Sequence, residues 1–77
     1  MTTYYITTCS ESTNWKRVII DQYDANNDLE ALEAHYNKHH NGEQVLLRRA
    51  FLFRSMTING TRYVAFSKQY LDNNLDS

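Results

Sequence analysis

The chain contains no proline, two glycines and one cysteine. With Gly42 and Gly60 both placed where a turn is needed, no segment has the composition of a flexible linker, so residues 1–77 read as one domain. A lone Cys9 excludes an internal disulfide. Small secreted domains usually need such staples, so the expected compartment is a reducing one, the cytoplasm. The first residues, MTTYYITT, lack the basic start and apolar stretch of a signal peptide. The longest apolar run is Ala50 to Phe53, far short of a membrane span, and no membrane partner is expected.

Catalytic equipment is missing too. No Gly-rich loop can cradle a phosphate, and no Ser or Cys sits in a nucleophile elbow. The acid pairs Asp21 with Asp24 and Glu30 with Glu33 are accounted for by solvation and helix capping. No catalytic residue is assigned, and the chain is not expected to be an enzyme. His35 and His39 stand at helical i,i+4 spacing, with His40 next and Glu43 close by, a pattern that can begin a metal site. A transition metal needs three or four ligands, however, and histidines near a helix C-terminus are also favoured by its dipole. No metal and no cofactor are assigned.

What the chain does have is enough apolar material to fold: 42% hydrophobic residues, with six tyrosines, at a net charge of −1. That small charge hides an asymmetry. Residues 1–43 carry seven acids and three bases, whereas residues 44–77 carry two acids and five bases. Such an imbalance suggests an electrostatic contact surface on the second half.

The stretch Gln44 to Ser67 organises the rest. Asn59-Gly60 suits a type I′ turn, which needs φ > 0 at both central residues. The register follows, with Ile58 facing Thr61, Met56 facing Tyr63, Ser55 facing Val64, Arg54 facing Ala65 and Phe53 facing Phe66. One side then carries Phe51, Phe53, Val64 and Phe66 and is expected to meet the core. The other carries Arg48, Leu52, Arg54, Met56 and Tyr63 and is expected to face outward. The arm from Gln44 to Ile58 is long for one strand, so a bulge or bend is expected near Arg48 to Ala50.

Upstream, Thr3 to Thr8 and Trp15 to Tyr23 read as antiparallel strands joined by a polar loop. Asn27 with Glu30 resembles a capping box opening a helix that Gly42 ends, with Leu29, Leu32 and Tyr36 as its apolar stripe. The expected class is α+β: a two-layer sandwich in which a four-stranded, mostly antiparallel sheet in β–β–α–β–β order carries one helix on one face. Residues 72–77 are expected to fray.

One sheet face then lies bare. Arg48, Leu52, Arg54, Met56 and Tyr63, joined by Lys16 and Arg17 from the second strand, are the expected partner-binding residues. Arg, Met and Tyr are enriched in protein interfaces, and exposed apolar patches mark interaction sites. A homodimer could close the same face. Nucleic acid is the alternative partner class, since Arg and Tyr on an open sheet can hold single strands, but the chain lacks a basic excess.

In layout, with a Tyr-rich first strand, a single helix and the hairpin TINGTRYVAF, the chain resembles small phage-encoded anti-CRISPR inhibitors of type I surveillance complexes. That resemblance implies an inhibitor that binds a Cas subunit in the bacterial host's cytoplasm and obstructs target-DNA recognition or nuclease recruitment. It carries no residue roles over to this chain.

Overall fold

A computed structural model describes residues 1–11, 14, 16–50 and 53–74. Asn59 and Gly60 have φ of 51° and 81°, the left-handed pair that a type I′ turn requires. The strands they join are paired as expected, with Ile58 opposite Thr61, Met56 opposite Tyr63 and Ser55 opposite Val64.

The described elements are β1 (Thr2–Cys9), β2 (Arg17–Ala25), α1 (Asp28–His39), β3 (Leu46–Ala50), β4 (Phe53–Ile58), β5 (Thr61–Ser67) and α2 (Lys68–Asn74). The fold is α+β, with one antiparallel sheet in the order β2-β1-β5-β4-β3. The sheet therefore has five strands where the sequence suggests four. The long arm before the turn is two strands, with Ala50 opposite Phe53, so the expected bend is a full reversal. Phe51 and Leu52 lie outside the described residues, as does Trp15.

Of the tail expected to fray, residues 72–74 belong to α2, and residues 75–77 lie outside the described residues. Ser67 Oγ accepts the Tyr70 backbone N–H at 3.1 Å, and Lys68 lies 3.6 Å from Asp72 one turn on. Leu71 is buried against Val64 and Phe66. A start signal, an i,i+4 ion pair and an apolar anchor carry the helix to Asn74.

α1 begins as its sequence predicts. Asn27 Oδ1 accepts the Glu30 N–H at 2.9 Å, while Glu30 Oε1 accepts the Asn26 N–H at 3.1 Å. The buried stripe is Ala31, Leu32 and His35, turned slightly from the expected Leu29, Leu32 and Tyr36. This stripe lies on Ile6, Met56, Ile58, Tyr63 and Ala65 of the sheet. The helix therefore covers the hairpin side that the sequence suggests is exposed. α2 covers part of the opposite side, where Val64, Phe66 and Leu71 form a second, smaller cluster with Tyr5 and Phe53.

Candidate functional site

The pairing lays the outer face, the one away from α1, out in rows. One row runs Arg17, Cys9, Arg62, Thr57, Leu46, and the next runs Ile19, Thr7, Val64, Ser55, Arg48. The centre of the second row is closed, since Thr7, Val64 and Ser55 are buried. The margins stay open. On edge strand β2 the aliphatic ridge of this face is Ile19, 51% exposed, with Ile20 at the register slip 46% exposed beside it; Val18, 40% exposed, pairs with Thr8 and lies on the α1 side.

Beside that ridge, Arg17 and Arg62 flank Cys9, roughly 10 Å apart across two strand spacings. They share a hollow with Cys9, Thr57 and Gly60. Arg17 is held in place: its Nη1 donates to Thr7 Oγ1 at 2.9 Å, its guanidinium lies over the Phe66 ring, and Thr7 Oγ1 donates to the Val64 carbonyl. No ion pair among the described residues neutralises Arg17, Arg48 or Arg62. Four of the acids lie toward α1. Asp21 packs beside α1, and Asp28, Glu30 and Glu33 lie within that helix.

The expected partner-binding residues divide accordingly. Arg17 and Arg48 lie on the outer face, and Lys16 adjoins β2; all three are exposed. Leu52 lies outside the described residues. Met56 and Tyr63 are corrected: they are 2% and 9% exposed beneath α1, where Leu32 and His35 need apolar neighbours. Arg54 is corrected as well. Its Nη1 donates to Asp28 Oδ1 at 3.0 Å, and its backbone N–H donates to Asp28 Oδ2 at 3.3 Å, fastening the start of α1 to β4. The aliphatic ridge on β2 and Arg62 were missed. An unbroken Val-Ile-Ile run reads as a strand covered on both faces, so its position at the sheet edge was hidden.

A second cluster lies on the inner face. Between Ile6 and Thr7 the β1–β2 register slips, pairing Thr7 with Ile19 but Ile6 with Asp21. Ile20 is the extra residue of a β-bulge, and the slip turns Asp21 toward α1. There Asp21 Oδ2 is a hub. It accepts the Tyr23 O–H at 2.8 Å, lies 3.2 Å from His39 Nε2 and faces His35 Nδ1 at 3.7 Å. The Tyr23 hydrogen bond, with help from Gln22 N–H, His39 and Lys38, holds the Asp21 carboxyl down at about 2. Burial, then the Asp21 carboxylate, pushes the Tyr23 hydroxyl up to about 12.

His35 is 4% exposed, and burial, followed by the neighbouring His39 and His40, lowers its pKa and keeps the ring neutral. Its ring lies 5.1 Å from that of Tyr63, whose hydroxyl is pushed up by burial and then by Glu43. His40 pairs with Glu43.

Comparison with protein families, with characterised proteins and with solved structures returned no match. The fold and the site define a small antiparallel α+β protein with a cationic, aliphatic-edged sheet margin. No described helix is long and apolar enough to cross a membrane.

Proposed function

We propose that the chain is a partner-binding protein whose β2 margin seats an acidic, partly apolar segment of another protein. The observation that carries this reading is the juxtaposition of exposed Ile19 on the β2 edge with the hollow between Arg17 and Arg62. Exposed aliphatic side chains on an unpaired edge are a template for association. Guanidinium groups with no ion pair among the described residues favour a partner that brings carboxylates, through the bidentate geometry Arg offers.

Nucleic acid fits this face less well. Base stacking needs exposed aromatic planes. Phe66 is buried, with Tyr70 stacked on it at 5.1 Å and Arg17 over its ring. The large apolar side chains exposed on β2 are aliphatic, and Tyr70, 37% exposed, has one ring face taken by Phe66.

On this reading the chain acts as a stand-alone inhibitor that occludes a surface of its partner, and a host defence complex is the partner class that the anti-CRISPR resemblance implies. The resemblance supports that last step by layout alone, and the layout has gained a fifth strand and a second helix. The partner chemistry is therefore drawn from the face and not from the resemblance.

A photo-crosslinking amino acid at position 19, with a control at position 33 on the exposed side of α1, tests the proposal in host extract. Adducts to a heterologous protein from position 19 and none from position 33 are expected. Adducts from position 33 alone, or crosslinks only between two copies of the chain, would overturn it.

A further inference from the structure

The cluster around Asp21 has geometry that its protein neighbours leave unused. His35 is almost wholly buried, yet neither ring nitrogen has a hydrogen-bond partner among the described residues. A buried polar group without a partner costs about 1–3 kcal/mol, so such groups call for a reason. Its Nδ1 points at Asp21 Oδ2 across 3.7 Å, too far for a hydrogen bond.

Another donor closes on the same point. The potential ligand atoms of Asp21, His35 and His39 all lie within 4.8 Å of one another. Asp21 Oδ2 is 3.2 Å from His39 Nε2 and 3.7 Å from His35 Nδ1. A tetrahedral zinc ion with bonds of about 2.0–2.1 Å sets its ligand atoms roughly 3.3 Å apart. These gaps bracket that value.

We infer that Asp21, His35 and His39 form a binding site for a divalent transition-metal cation, with zinc the best fit. Each part of the fold contributes to it. The i,i+4 spacing places two imidazoles on one side of α1, and the β2 bulge supplies the carboxylate from the facing strand. Two nitrogens and one oxygen suit zinc and the neighbouring first-row metals, and hard oxygen-seeking ions far less.

Tyr23 supplies the outer support. Its hydroxyl occupies one lone pair of Asp21 Oδ2 and leaves the other for the cation. Metal at Nδ1 of His35 places that ring's proton on Nε2. His39 is exposed at the rim, so the cation has a path from solvent, and a water would complete its tetrahedral set.

Calorimetric titration of EDTA-treated protein with zinc chloride tests this. One equivalent of saturable binding is expected. His39→Ala and Asp21→Asn should each weaken it by at least about tenfold, the low end of what losing even a supporting residue costs at a metal site. Both positions are at or near the surface, so neither variant depends on removing the buried His35 ring. Glu43→Gln, which alters the neighbouring His40 pair, should leave the affinity unchanged. Zinc should also raise the melting temperature of the unaltered chain and not that of Asp21→Asn. No saturable binding, binding that survives both ligand variants, or binding that is lost with Glu43→Gln would each overturn the assignment.

Discussion

Met56→Glu is expected to abolish the folded state at neutral pH, with loss of the cooperative urea transition and of native circular dichroism. Met56 is fully enclosed on the inner face among Leu32, Ile6 and Tyr63. No described residue offers it a cation there, because Arg54 is engaged by Asp28. An unpaired buried carboxylate costs several kcal/mol even after the site relaxes. Domains have about 5–15 kcal/mol of stability in total, and a chain this short sits toward the bottom of that range. The matching change on the outer face, Arg48→Glu, should leave stability within about 0.5 kcal/mol, as exposed substitutions usually do. Equal stability of the two variants would mean that the faces are assigned the wrong way round.

Leu32→Ala should lower the unfolding free energy by about 2–5 kcal/mol, the range seen when a buried leucine is truncated and the cavity only partly collapses. Leu32 is the large aliphatic side chain that α1 buries completely against the sheet. Its neighbours on the stripe are Ala31, which is small, and His35, which is polar, so neither can fill the space. At roughly 4–8 °C per kcal/mol for a domain of this size, the melting temperature should fall by about 10 °C or more. A fall of only a few degrees would place the helix elsewhere.

These two variants matter because the outline of the fold was legible in the sequence while its sidedness was not. Asn59-Gly60 set the β4–β5 register, since few other dipeptides accept two positive φ angles without strain. Asn27 and Glu30 marked the start of α1 through hydrogen bonds that are local to the chain. Which side of the hairpin meets α1 could not be read in the same way. Phe53, Val64 and Phe66 look like core, and so do Met56, Ile58 and Tyr63, because each side is covered by a different helix. Alternation tells a wet face from a dry one only when one of them is wet.

Two further features left no local trace. The reversal between Ala50 and Phe53 carries no Gly, Pro, Asn or Asp to announce it, so β3 and β4 read as one bent strand. The aspartate near the histidines depends on one extra residue in β2, and a single-residue slip changes which side every later side chain takes. His35 and His39 were visible as a pair; Asp21 as their companion was not.

The proposed partner-binding margin rests on Ile19 and Arg62, two exposed side chains on the outer face, of which Arg62 has no ion pair among the described residues. The most direct test of that claim is the affinity of Ile19→Asp/Arg62→Glu for the protein crosslinked from position 19, measured by calorimetry beside the unaltered chain. The account predicts a loss of at least about tenfold, or 1.4 kcal/mol, with an unchanged urea midpoint. Undiminished affinity in a folded double variant would contradict it.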